Sequence, residues 1–297
     1  MGAFSRSWEL TKVTFGVINK DKELFSYPVL SIIVSVIFLA LTVVIALFGG
    51  VFSIAAGLSD FSLSALGYLL LFVTYFGLAL IGTFFSTAVV YTAGRRFKGE
   101  DATFGESISF SFKRIDKIFL WALISATVGL ILRILENIAE KMKGVGQIVM
   151  AIMNSILGTV WSVLTIFVVQ GIVFKNLGPF AAIKDSTLTL KNTWGESLIK
   201  YIGFGLAESV FIIPAIVIGI PAIYLSLFVG VWLTLIIIGM IILYIVGVAL
   251  VFNIADNVFN TALYVYSNTG NVPEGYDSET IKSAFQKKKN EGMQIPE

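Results

Sequence analysis

The chain has 297 residues, of which 57% are hydrophobic and 13% charged, and its formal net charge is +2. Soluble domains carry about 25% charged residues, so about half the expected charge is missing, and a mean hydropathy of +0.89 points to a bilayer rather than water as the solvent. Cysteine and histidine are both absent, which excludes disulfides, thiolate nucleophiles, a Ser-His-Asp relay, and metal or haem ligated through either residue.

The first 24 residues are amphipathic and charged and lack the basic, apolar and small-residue sections of a secretory signal. Arg6 stands where a myristoylation motif wants Ser or Thr, so the N-terminus is expected to stay unprocessed. Apolar runs of about 20 residues follow, over 27–48, 65–93, 117–135, 148–174, 200–228 and 232–266. Pro214 and Pro221 are expected to break the fifth run, and a tight turn is expected near 227–230.

Lysine and arginine set the orientation. The N-terminal segment, the 95–117 and 175–200 stretches and the tail hold 18 of the 21 basic residues; the opposite side holds Arg133, Lys141 and Lys143. The richer side is expected to be cytoplasmic, with both termini on it, and the membrane to be the cell membrane. Arg133 and Glu136, with Glu140, Lys141 and Lys143, read as a snorkelling surface cluster. The Lys287, Lys288 and Lys289 run reads as a topology anchor.

Three segments before spans carry one apolar stripe each at helical spacing: Phe4, Trp8, Thr11, Phe15 and Ile18; Phe104, Ile108, Phe112, Ile115 and Phe119; Phe180, Ile183, Thr187, Leu190 and Trp194. Each is predicted to lie in the membrane interface. The fold class is therefore all-α integral membrane. Six transmembrane helices and three cytoplasmic interfacial amphipathic helices form a threefold helix-hairpin repeat, over about 4–93, 104–174 and 180–266 of one membrane domain, with 267–297 as a cytoplasmic tail. Duplication has a second sign: Phe85, Thr87 and Ala88 recur as Phe259, Thr261 and Ala262 at one constant offset, and Tyr91 meets Val265.

The opening FSRSWELTKVTF and DKELFSYPVLS, with the closing FNTALYVYSNTGNVPEGYD, resemble an uncharacterised prokaryotic multi-pass membrane protein family. More distantly, PFAAIKDSTLTLKNTW resembles the membrane domain attached to some glycerophosphoryl diester phosphodiesterases. The resemblance implies a membrane fold. The phosphodiesterase active site needs a soluble barrel with His and carboxylates, which nothing in this sequence matches, so it implies no hydrolysis.

Two carboxylates fall inside apolar runs, Glu208 in span five and Asp256 in span six. An ionisable group at bilayer depth costs a few kcal/mol or more and is a site hypothesis by default. Asn253, Asp256, Asn257 and Asn260 share one helical face. The constant offset puts Ala79, Gly82, Thr83 and Ser86 at the matching places in span two, so polarity is concentrated in the third repeat. One reading makes Glu208, Asp256 and the Asn amides a cation or proton site. The other has both acids near the cytoplasmic boundary, capping or pairing with an interfacial helix and its lysines.

No nucleophile and base can be assembled, so the chain is expected not to be an enzyme and to need no cofactor. No basic stripe with interleaved aromatics appears outside the loops, so no nucleic acid is expected. The expected function is that of an accessory, scaffold or lipid-interacting component of a membrane system, with membrane lipids and other membrane-protein subunits as partners. The alternative is a small transporter or channel using the acidic and Asn face of spans five and six.

Overall fold

The computed structural model describes residues 11–18, 22–55, 60–194 and 203–276. Phe4 and Trp8, the start of the first stripe, and the Lys287–289 run lie outside them. Every regular element among the described residues is helical. Helix α1 covers residues 11–18. After a 3-10 turn, Lys22–Phe25, come α2 (Ser26–Ala55), α3 (Asp60–Arg96), α4 (Phe104–Lys113), α5 (Ile115–Lys141) and α6 (Val145–Leu164). Then follow α7 (Val168–Lys175), α8 (Pro179–Trp194), α9 (Gly203–Leu227) and α10 (Val231–Thr269).

Among the described residues six stretches are long and apolar enough to cross a membrane: Glu23–Gly50, Ala65–Arg96, Ile115–Lys141, Val145–Lys175, Glu208–Leu227 and Val231–Thr269. They are those expected from the hydropathy, and their number and length are those of a multi-pass membrane protein.

The chain packs as two compact units. One is contiguous, Lys20–Thr187; the other joins the two chain ends, Met1–Asn19 and Leu188–Glu297. In the contiguous unit α3 packs against α2, α4 and α5, α5 against α6, and α3 against α7. Buried side chains gather at the Lys/Arg-rich ends of these helices: Leu24 and Tyr27, then Thr83 and 87–90, then Ile118, Trp121 and Ala122, then Phe167, Val168 and Ile172. Trp121 stacks on Trp161 with ring centroids 5.8 Å apart. The opposite halves expose their apolar side chains, Val36 to Phe48 in α2 and Val145 to Val160 in α6 among them. In the other unit α9 packs along α10, and burial again concentrates at the end of α10, from Phe252 to Tyr264.

Local chemistry explains where helices stop, and three breaks differ from the expectation. The stripe Phe104 to Phe119 does not lie on one helix. Arg114 (φ −109°, ψ 9°) ends α4 and precedes α5, its N–H turned onto the Phe112 and Ser111 carbonyls. A capping box starts α4: Thr103 accepts from the Glu106 N–H at 3.3 Å and the Glu106 carboxylate accepts from the Thr103 N–H at 2.9 Å. The fourth span breaks near Thr165, whose hydroxyl donates back to the Trp161 carbonyl at 2.8 Å.

Conversely, α9 runs unbroken through Pro214 and Pro221. A proline removes one ladder donor, and in a membrane bundle a neighbour can serve the freed carbonyls. The carbonyls freed are those of Val210 and Val217; beside the first, the Phe211 carbonyl accepts from the Tyr244 hydroxyl of α10 at a long 3.4 Å. The turn at 227–230 is present: Gly230 has φ +153°, a value that favours glycine, and Ser226 Oγ donates to Thr234 Oγ1 across it at 3.0 Å.

Candidate functional site

Of the predicted site residues, Glu208 lies near the start of the described side chains of α9 and is half-buried. On α10, Asp256, Asn257 and Asn260 are half-buried and Asn253 is exposed. The Glu208 and Asp256 carboxylates are within electrostatic reach of each other. Asn257 Nδ2 donates to the Asn253 carbonyl at 2.9 Å and to Asn253 Oδ1 at 3.2 Å. Thr261 Oγ1 donates to the Asn257 carbonyl at 2.6 Å. The Asn253–Asn257 pair therefore uses much of its capacity along its own helix, at i,i+4 spacing. Asn253, Asp256, Asn257 and Asn260 form one polar strip on α10, and Glu208 stands on the neighbouring α9. Among the described residues no group of three or more Asp or Glu gathers as a metal site.

Aromatic rings frame this strip. Phe252 meets Phe211 of α9 with centroids 5.8 Å apart and Phe15 of α1 edge-on at 5.9 Å. Helix α1 thus reaches α10 one turn from Asp256, with Lys12 on its exposed face. Its buried residues are Thr11, Thr14, Val17 and Ile18. The segment after α10 returns to the same helix. Tyr276 donates to Thr14 Oγ1 at 3.0 Å, and Gly275 (φ +93°) lies so close to Val17 that a Cβ there would stand 2.7 Å from Val17 Cγ2. Glycine is required at that position twice over, by its backbone angle and by the close approach. The Tyr276 ring also lies 6.2 Å from Phe259, and burial holds its phenol well above the ordinary value.

The sequence reading missed a recurring feature: α1, α4 and α8 each bury hydroxyls. On α4 the buried residues are Ser107 and Ser111, not the Phe112 end of the stripe. Ser107 Oγ shares a 2.7 Å hydrogen bond with Thr92 Oγ1 of α3, and Thr92 shares another, 3.1 Å, with the Tyr27 hydroxyl. The Tyr27 ring stacks on Phe104, centroids 5.2 Å apart. On α8, Phe180 is exposed while Ala182, Ser186, Thr189 and Leu190 are buried. Ser186 Oγ accepts the Phe167 N–H at 3.1 Å, a donor released by the break after α6. Gly171 of α7 lets Ala182 close in, a Cβ there standing 3.4 Å from the Ala182 Cβ, and Lys175 pairs with Asp185 at 2.6 Å. The available signal was Ser and Thr recurring three or four residues apart on the face opposite the large aromatics.

These hydroxyls can join helices; no general base stands among the partners named. Arg133 and Glu136 pair at 2.6 Å on the surface, as expected for that cluster.

A comparison with curated proteins finds no match. The model of a family of unknown function, DUF6159, matches residues 64–274, most of the chain, including α4, α8 and the polar strip of α10. The chain belongs to the DUF6159 family.

Proposed function

We propose that the protein is a non-catalytic multi-pass component of the cell membrane that organises lipids or holds other membrane-protein subunits. The carrying observation is the distribution of packing. Within each of the two units burial concentrates toward one end of the helices, while the far halves of α2, α6, α9 and α10 keep large apolar side chains exposed. Within a bilayer such surface is free for lipid tails and for partner helices, which associate by packing rather than by leaving water. On this reading the Lys/Arg-rich side is cytoplasmic and carries both termini. Helices α1, α4 and α8 lie at the interface there, and each opens one helix hairpin of a threefold repeat. The distant likeness to the membrane domain of glycerophosphoryl diester phosphodiesterases fits an architectural role and supplies no hydrolytic chemistry.

The test is extraction in mild detergent and measurement of the native mass against 32.4 kDa for one chain. A stoichiometric membrane partner is the expected result. A lone monomer or homo-oligomer that carries solute in proteoliposomes would overturn the accessory role.

One observation favours a second reading, a small cation or proton transporter: Glu208 and Asp256 are within electrostatic reach in a region of α9 and α10 that has no Lys or Arg. It requires that Asp256→Asn abolish a proteoliposome flux while expression and folding are retained. An unchanged flux would remove it.

A further inference from the structure

We propose that the α4–α5 joint is a binding site for the headgroup of an anionic phospholipid, with Arg114 as its phosphate contact. This rests on the interfacial reading of α4 given above and adds the lipid class and the residue that selects it.

Arg114 occupies an unusual place among the arginines. Arg95 pairs with Glu100 at 2.9 Å, Arg96 with Asp101 at 2.9 Å and Arg133 with Glu136 at 2.6 Å. Among the described residues Arg114 is the arginine with no carboxylate partner. Its guanidinium carbon stands 5.0 Å over the Phe110 ring, and its Nε is shielded from solvent without a hydrogen-bond acceptor. Phe110 in turn stacks on Tyr91 of α3, centroids 4.3 Å apart, which fixes the platform. A planar guanidinium laid on a rigid aromatic face, with no carboxylate partner, suits a tetrahedral oxyanion better than a point charge would.

The surroundings specify the rest of the ligand. Arg114 immediately precedes Ile115, the first residue of a membrane-spanning stretch, and α3 leaves its own at Arg96. On the interfacial reading the guanidinium is assigned to the level of the phosphates rather than of the tails. Around it Phe112 is 61% exposed, Ile115 41% and Phe119 47%. Two of these rings meet α3 edge-on, Phe112 at Phe84 (4.9 Å) and Phe119 at Phe76 (5.0 Å). The result is an apolar aromatic strip that descends from Arg114 along the α3–α5 pair, the course an acyl chain follows from its headgroup. Lys113 is exposed beside Arg114, and the neighbouring acid, Asp116, is neutralised by Lys117 at 3.2 Å. The local charge is positive, which favours phosphatidylglycerol-like lipids over zwitterionic ones.

The test uses the full chain, delipidated in detergent, with dioleoyl phosphatidylglycerol and dioleoyl phosphatidylcholine as probes, and native mass spectrometry to count retained lipid. The wild type is expected to retain phosphatidylglycerol in preference to phosphatidylcholine. Arg114→Gln is expected to lower that retention about tenfold, the scale of losing one charge-assisted contact. Arg114→Lys should fall between, and Lys143→Gln should change nothing. Equal retention of the two lipids by the wild type, or unchanged retention in Arg114→Gln, would overturn the proposal. If Arg114→Gln does not fold, Arg114→Lys serves in its place, and unchanged retention there overturns it equally. Binding of inorganic phosphate with the same dependence on Arg114, and without lipid, would also overturn it.

The interfacial reading is tested separately by a fluorophore at Phe112→Cys, in a chain that has no other cysteine. Quenching by brominated lipid without any headgroup preference would sink the lipid site and leave the interfacial helix. Absence of quenching would sink both.

Discussion

The Tyr276 hydroxyl donates to Thr14 Oγ1 at 3.0 Å, a buried contact between residues 262 positions apart. It joins the first described helix to the segment that leaves the last span, and α1 and residues 270–276 are thereby held on one unit.

That contact has a pH signature. Burial raises the Tyr276 phenol above its ordinary value, the hydrogen bond to Thr14 opposing the shift only in part. A group whose folded value is raised contributes stability that is fully present below the unfolded value, about 10 for tyrosine, and lost as pH rises above it. Tyr276→Phe should cost about 1 kcal/mol at pH 8, read as a lower midpoint of thermal unfolding in detergent. The gap between wild type and Tyr276→Phe should narrow above pH 10. A gap that is constant to pH 11 would contradict the buried phenol.

Ser186→Ala should be more damaging than its size suggests. The substitution removes the Ser186 Oγ that accepts the buried Phe167 N–H, at a cost of about 1–3 kcal/mol. Ser186→Thr, which keeps an acceptor, should recover part of the loss. Proteolytic sensitivity between α6 and α8 is the direct measurement, and equal sensitivity of Ser186→Ala and the wild type would refute the assignment.

The α7–α8 contact depends on Gly171. Alanine is nearly accommodated, its Cβ falling 3.4 Å from the Ala182 Cβ, but the Ala182 Cα and Asp185 Oδ2 stand at 3.6 Å and leave nothing for a longer chain. Gly171→Leu should cost about 1–3 kcal/mol through overpacking and should loosen the Lys175–Asp185 pair. Expression and thermal stability of Gly171→Ala against Gly171→Leu separate the two.

Helix α4 should fray in acid. The Glu106 carboxylate is held below its ordinary value, first by the Thr103 N–H and then by the Thr103 hydroxyl. A depressed carboxylate contributes stability that is present above the unfolded value, in the ordinary glutamate range, and is lost as pH falls through the folded one. Hydrogen exchange at 107–110 should therefore speed up, relative to the intrinsic rate, as pH drops below about 4. Glu106→Gln keeps the capping geometry and should lose that pH dependence. An identical acid response in both proteins would count against the capping box as its cause.

The six spans and the turn at Gly230 were legible in the sequence because a bilayer leaves few alternatives to a long apolar helix. The breaks were not. Proline is the strongest breaker in water, yet α9 passes through Pro214 and Pro221, as helices within a membrane bundle tolerate. Arg114 and Thr165 carry no breaker signature; Thr42, Thr74, Thr87 and Thr127 make the same back-bond as Thr165 inside unbroken helices. The polar strip Asn253, Asp256, Asn257 and Asn260 was legible from its spacing, since one helix fixes its geometry. Its approach to Glu208 and to Phe15 was not, because those residues lie on other helices. The hydroxyl face was hidden by a different ambiguity. A Ser or Thr that bonds back to its own helix reads the same as one that reaches across, and Thr92 does both, donating to the Ala88 carbonyl at 3.0 Å while joined to Ser107.

The unit assembled from both chain ends has a consequence for synthesis. Helix α1 leaves the ribosome before the other described helices, yet its partners, Phe252, Gly275 and Tyr276, are translated more than 230 residues later. At about 5–20 residues per second, the apolar face of α1 must wait roughly ten seconds to a minute for its seat. A chain that stops short of α10 would keep that face uncovered, and an interrupted product would carry on α1 the mark of being unfinished.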